Sequence, residues 1–365
     1  MAPATSPTGS APASSGAASQ VHVVVTNAGC VPDRSSVPSG GVVFNVLNEG
    51  GDAVPELELF EGEHFQRLGE VENLAPGLSG TFALDLKPGP YVLFCPGATT
   101  DRTAFTVTGE GASSGEPVSE LDELLGIATA GYDEYVQQQV ASLVTATDAF
   151  TAAVKAGDIE QAKALYGPAR LYYERIESVA ESFGDLDPQI DGREDDAASP
   201  AEFTGFHRLE KALWVDANVA DMGAMADKLS ADVTHLNELV ATADYQPAQL
   251  ANGAAELLDE ISRSKITGEE ERYSHIDLLD FRGNLDGARR AFDLLSPALA
   301  TVDPQLNTTI GQRFTTVETM LAQYKRGDGY ALYPELTTDQ TRDLAQAVND
   351  LAEPMSQVAA KIVSQ

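Results

Sequence analysis

The chain changes its hydrophobic period once, and that switch limits the architectures open to it. Residues 21–110 hold short runs rich in Val, Phe, Leu and Thr, such as VHVVVTN, GGVVFNVLNEG and GPYVLFCPG, several of which alternate apolar with polar side chains. Alternation puts successive side chains on opposite faces of a strand, so this segment predicts an all-β sandwich of about 90 residues. From about Leu121 to the end, residues 121–365, Ala, Leu, Glu, Gln and Asp dominate, with breaks at AGD, GPAR, GDLDP, YQPA, SPALATVDP and RGDG. The breaks divide this half into about seven or eight helices, enough for two packed four-helix bundles.

Two segments of different texture flank the sandwich. Residues 111–120, within EGASSGEPVSE, read as a flexible linker whose Gly and Ser content lets the two halves move and fold separately. Residues 1–20, MAPATSPTGSAPASSGAASQ, hold almost nothing that can be buried and read as a disordered tether. The tether lacks the apolar centre of a signal peptide, and no run of about 18 apolar residues occurs to span a membrane. The expectation is an exported protein, periplasmic or at the cell surface, lipid-anchored through a removed N-terminal segment.

The formal net charge is −33, from 56 acidic and 23 basic residues in 365. Such a balance excludes nucleic-acid backbones and anionic membrane surfaces as partners and makes cations the natural ligands. The negative charge concentrates in the helical half: residues 1–110 carry −8 and the rest −25.

Within that half, GFHRLEKALW places His207 and Glu210 at i and i+3, one face of a helix. That spacing suits half of a metal site, and equally a solvated hydrogen-bonded pair. Just upstream, Glu174, Glu177 and Glu181 fall at i, i+3 and i+7, followed by Asp185, Asp187 and Asp191, with Arg170 and Arg175 able to neutralise part of the stripe. Tyr172, Ile176, Val179 and Phe183 leave no separate outer face for all three glutamates, so some must point inward. Inward carboxylates need a partner or a proton, and a bound cation meets that need. Carboxylates with one imidazole suit iron, manganese or zinc better than Cu(I). No H-E-x-x-H string occurs, and the Glu-x-x-His string, Glu61 to His64, lies in the β half beside Gly62. His235 and His275 have no comparable carboxylate neighbours in sequence and read as ordinary histidines.

Three blocks, ARLYYERIESVAESFGDLDPQIDGRE, FTGFHRLEKALW and KITGEEERYSHIDLLDFRGNLDGA, together resemble the imelysin-like domain of EfeO-type iron-uptake proteins, whose hallmark is G-x-H-x-x-E. In that family a cupredoxin-like module precedes the imelysin-like one, in agreement with the β half. The resemblance implies an exported, non-enzymatic component of an EfeUOB-type system that captures iron, as Fe3+ or Fe2+, with zinc or copper as other metals. Its implied partners are a membrane iron permease and a haem-containing, Dyp-type peroxidase. The motif falls on His207 and Glu210 and the acidic helix on Glu174 and Glu177, while charge and block membership add Asp191 and Glu270. Two other functions stand beside this one: an imelysin-like metallopeptidase, and cation-dependent binding of an acidic polysaccharide.

In the β half, GPYVLFCPG is similar to the late cupredoxin strand, with Cys95 at the position of the copper-ligating cysteine. The histidine expected shortly afterwards is missing from PGATTDRTAF, which argues against a blue-copper centre. Cys30 and Cys95, the chain's two cysteines, either form a disulfide or, as the resemblance implies, bind metal together with Glu56. These alternatives exclude each other.

Overall fold

A computed structural model describes residues 18–62, 66–109, 119–184, 186–263 and 265–365. Most of the expected tether and linker, together with His64 and Asp185, lie outside the described residues. The β half contains β1 (Ser19–Thr26), β2 (Gly29–Pro32), β3 (Ser36–Pro38), β4 (Gly40–Asn48), β5 (Leu57–Glu61), β6 (Arg67–Val71), β7 (Ser79–Leu86), β8 (Gly89–Phe94) and β9 (Arg102–Thr108). They form two sheets, ordered β2-β1-β4-β7 and β3-β9-β8-β5-β6. Pairing is antiparallel except for β1 with β4 and β3 with β9. The alternating valines Val21, Val23 and Val25 turn inward, as period-two patterning requires. Phe44 stacks on Phe82 at 4.8 Å and meets Phe105 edge-on at 5.5 Å, joining the inner faces.

The helical half contains α1 (Glu120–Ala156), α2 (Ile159–Glu174), α3 (Glu177–Glu181), α4 (Leu186–Asp191), α5 (Gly205–Trp214), α6 (Gly223–Val240), α7 (Pro247–Arg263), α8 (Asp277–Val302), α9 (Pro304–Ala322), α10 (Thr338–Met355) and α11 (Val358–Val363). Ser119 and Asp122 close a capping box that starts α1. Helix α1 packs on α2, α6 and α8, and α7 packs on α8 and α10, so α8 is common to both groups. The two helix groups are therefore packed against each other through a shared helix.

The acidic stripe also differs from expectation, because α2 ends at Glu174 and α3 begins at Glu177. Helix α8 explains the break. A Cβ on Gly283 would lie 2.3 Å from the Cβ of Glu174, and one on Gly287 would lie 2.4 Å from the Arg175 carbonyl oxygen. The bare glycine face lets the turn seat directly on α8, where Asn284 Nδ2 donates to the Glu174 carbonyl at 2.9 Å. Glu174 and Glu177 thus reach one pocket from either side of a turn.

The halves are in contact along a broad face. Helix α7 lies against β6 and β7, and α11 against β4 and β7. Arg67 N–H donates to the Ser182 carbonyl at 2.8 Å, and Asn252 Nδ2 to the Ala83 carbonyl at 3.0 Å. A Cβ on Gly41 would sit 2.0 Å from the Val363 carbonyl oxygen, so β4 and α11 approach as closely as backbone permits. This docking replaces the free relative motion expected from the linker's composition. Among the described residues no helix is long and apolar enough to cross a membrane.

Candidate metal centre

The G-x-H part of the motif has a steric basis. Gly205, the first residue of α5, has φ 77°, and a Cβ there would lie 2.0 Å from the Ile190 carbonyl oxygen. Only glycine permits that approach, which brings the start of α5 onto the end of α4. Thr204 fastens the contact through Oγ1, donating to the Gln189 carbonyl at 2.8 Å. His207 is thereby set beside Asp191, the last residue of α4.

The imidazole of His207 is buried, and its two nitrogens have different surroundings. Nδ1 lies 3.1 Å from Glu210 Oε2, while Oε1 of the same carboxylate accepts the backbone N–H groups of Tyr273 at 2.9 Å and Ser274 at 2.6 Å. Nε2 has no hydrogen-bond partner among the described residues and faces Glu270 Oε1 at 3.4 Å and Asp191 Oδ1 at 3.5 Å. The two motif residues offer ligand atoms within 4.8 Å of one another together with Glu271, and here Nδ1 and the Glu210 carboxylate meet each other. Glu210 holds Nδ1 and fixes the ring, while Nε2 faces the other two carboxylates, an arrangement that resembles the one in which a carboxylate orients a metal-binding histidine.

Around this nitrogen the protein gathers carboxylates and two buried cations. Arg170 on α2 pairs with Glu174, Asp191, Glu271 and Asp280, its Nε lying 3.0 Å from Asp280 Oδ2. Lys265 directs its ammonium at Glu177 and Glu270, each at 3.1 Å, and at Glu174, at 3.3 Å. Asn284 Nδ2 also donates to Glu177 Oε2 at 2.7 Å and Glu174 Oε2 at 3.0 Å. Of the residues expected from sequence, His207, Glu210, Glu174, Glu177, Asp191 and Glu270 all meet in this one region. Sequence reading missed Lys265, Glu271, Asp277 and Asp280. A signal existed: Asp277, Asp280 and Asn284 recur at helical spacing on the buried side of α8, where apolar residues belong.

Protonation follows from the crowding. Burial pushes the Glu174, Glu177 and Glu271 carboxyls well above the usual range, and like charges nearby add to it. For Glu270, burial acts upward too, but Lys265, His207 and Arg170 outweigh it and hold the carboxyl well below its ordinary value. On His207 burial and Arg170 oppose protonation, yet Asp191, Glu210 and Glu270 prevail and lift the imidazole to about 9. A cleft of about 10 Å³ beside His207, Glu210 and Glu270 is bordered by Arg193, Arg272 and Tyr273, which is room for roughly one water-sized group.

The second expected metal site is not formed. Cys30 on β2 and Cys95 after β8 are joined in a disulfide, so neither sulfur is a free thiolate ligand. Burial pushes the Glu56 carboxyl up to about 7, and Glu56 gathers with Glu58 and Glu70 rather than with sulfur. These three belong to a cluster between the halves, where Arg67 pairs with Glu70, with Glu58 at 3.1 Å, and with Glu72 and Glu181 at 3.9 Å. Of the other histidines, His235 is exposed beside Glu238 and His275 takes a positive φ of 62° before α8.

Comparison with known proteins agrees with this architecture. A family model for imelysin matches residues 128–358, and one for the cupredoxin-like domain matches residues 3–107. The iron uptake system component EfeO of Escherichia coli (strain K12) is 42% identical over 343 residues, which cover 93% of this chain and 90% of that protein. The protein of the same name from Shigella flexneri matches to the same extent. Among solved structures, reduced auracyanin from Roseiflexus castenholzii, 17% identical, covers 26% of this chain and 100% of its own with a TM-score of 0.22, too slight a likeness to support an argument. With the helical half matched by the imelysin model, the sandwich by the cupredoxin-like one and nearly the whole length by these relatives, the chain belongs to the imelysin family, in its two-domain EfeO form.

Proposed function

We propose that this protein captures iron in the helical domain, through His207 Nε2 with Asp191 and Glu270, and serves an iron uptake system. The observation that carries this reading is the buried Nε2, unpartnered among the described residues and faced by two carboxylates while Glu210 holds the other ring nitrogen. An imidazole with hard oxygen donors suits Fe2+ or Fe3+, and zinc fits the same set. The relatives' name, iron uptake system component, supports iron as the cargo. The protein is exported and works outside the membrane, passing iron to a permease, with a haem-containing peroxidase setting the oxidation state.

Capture needs no bond-making in a substrate, and we read the protein as a binding component without catalysis. A cleft of about 10 Å³ at His207 admits a metal-bound water but not a peptide. Calorimetric titration of the full chain with Fe2+ under argon should show saturable binding that His207→Ala weakens about 100-fold or more. Equal binding by the variant, or none by the unaltered chain, would remove this reading.

A further inference from the structure

We propose that the Lys265 ammonium is a built-in cation that fills the second of two adjacent cation positions, so that the centre admits a single metal ion, at His207. This rests on the capture reading above. Of three sets of ligand atoms in this centre, two lie side by side and share Asp191, one being Asp191, His207 and Glu270 and the other Glu174, Glu177 and Asp191; the third, His207, Glu210 and Glu271, shares the imidazole with the first. Within each set the atoms are within 4.8 Å of one another, the spacing that one coordinated ion bridges. The first set has a free donor in Nε2. The second set is already served, since Lys265 Nζ contacts Glu174 and Glu177 from it and Glu270 from the first.

A structural lysine needs one carboxylate, and at a surface it keeps its water. Lys265 has lost all of it: the side chain is 0% exposed, and three carboxylate oxygens at 3.1 to 3.3 Å stand where hydration would be. Three carboxylate oxygens match the ammonium's three donors. Taking the ion out of water costs several kcal/mol, which its contacts offset, and removing it alone would strand three buried carboxylates, so this position needs a cation of some kind. What the ammonium contributes is occupancy. It supplies one positive charge where two glutamates and a shared aspartate would otherwise hold a second metal. Its contact with Glu270, whose Oε1 is also 3.4 Å from Nε2, sets it directly against an ion bound at His207.

Iron counts separate the possibilities. Full-length protein and variants are titrated with Fe2+ under argon, and bound ions per chain are read by native mass spectrometry. Lys265→Met should bind one ion more than the unaltered chain, the added ion should vanish in Lys265→Met with Glu174→Gln, and Lys265→Arg should keep the unaltered number. Equal counts in Lys265→Met and the unaltered chain would overturn the assignment, whereas an unaltered chain that binds no iron defeats the capture reading instead. Should Lys265→Met fail to fold, reductive methylation of the unaltered protein decides: Lys265 should stay unmodified both metal-free and iron-loaded. Its modification in the loaded form would show that the ammonium leaves, and would overturn the proposal.

Discussion

Two acidic clusters are buried in this molecule, and their difference shows what turns carboxylates into a metal site. The cluster between the domains also gathers glutamates closely, with Glu56, Glu58 and Glu70 in one group and Glu70, Glu181 and Glu256 in another. Among the described residues it contains no histidine, and its carboxylates converge on the guanidinium of Arg67. The helical cluster also has its fixed cations, Arg170 and Lys265, but it holds one imidazole, its ring oriented by Glu210 and its Nε2 set between Glu270 and Asp191. Charge alone made both clusters. An imidazole set among the carboxylates distinguishes the second, whereas the first is a clasp.

If the interdomain cluster is a clasp, its largest effect is on stability. Arg67→Met strands the buried Glu70 and leaves the partly buried Glu58 and Glu181 without their cation, and should cost about 3–5 kcal/mol, the usual penalty for removing one partner of a buried ion pair. The measurements are the thermal midpoint and the protection of amides in β6 and α3 from hydrogen exchange. Iron affinity should stay within about twofold, because the His207 ligands lie on other elements. A matching loss of iron binding would break the comparison by making the clusters one functional unit.

The converse variant is His207→Ala. It should weaken iron binding about 100-fold or more, some 3 kcal/mol at about 1.4 kcal/mol per factor of ten, while leaving interdomain protection unchanged. Glu210→Gln sharpens the distinction between ligand and orienting group: disturbing a partner that orients a metal-binding histidine weakens binding about 10- to 100-fold. Competition titration with a chelator of known affinity resolves both. A larger loss in Glu210→Gln than in His207→Ala would make Glu210 a direct ligand.

Much of the helical centre was legible in the sequence. The i, i+3 spacing of His207 and Glu210 and the acidic run before it named five of the residues that meet there, and the later block KITGEEERYSHIDLLDFRGNLDGA added Glu270. What the spacing could not give was direction. Glu174 and Glu177 were placed on one helical stripe, but a glycine face on α8, 109 residues further along for the pair Glu174 and Gly283, breaks that helix and folds the stripe into a pocket. Lys265 was invisible for a similar reason, since a single lysine beside a 3-10 turn carries no periodicity to mark it as buried. In the β half, strands and sandwich followed from alternation, while the choice between disulfide and thiolate site depended on the proximity of Cys30 and Cys95, 65 residues apart in sequence.

Proton coupling gives a third, smaller difference between the clusters. Metal-free His207 is protonated up to about pH 9, so iron binding must expel that proton. Apparent affinity should rise by up to about tenfold per pH unit from 6.5 towards 9 and then level, with one proton released per ion in calorimetry in buffers of different ionisation enthalpy. Because the folded value lies above the unfolded one, His207 stabilises the metal-free fold fully below about 6.5 and ceases to do so as pH rises through 9. An affinity independent of pH over that range would show that Nε2 is not the atom that takes the metal.

The smallest effect is expected at Glu256, on α7 beside the clasp. Burial pushes its carboxyl up to about 7, Arg67 opposes that, and Glu72 and Asp259 add to it. A carboxyl raised from 4.5 in this way stabilises the fold below pH 4.5 and stops doing so as pH rises through 7, when the group ionises among other glutamates. Glu256→Gln mimics the protonated form at every pH. It should therefore leave stability near its original value at pH 5 and raise it by at most about 1 kcal/mol at pH 8, allowing for the partial exposure of the group. Denaturant midpoints at the two pH values, on metal-free protein, make the test. Destabilisation at pH 8 would mean that the ionised Glu256 is an indispensable partner of Arg67, and the clasp would then depend on that one pair rather than on the pooled charge of the cluster.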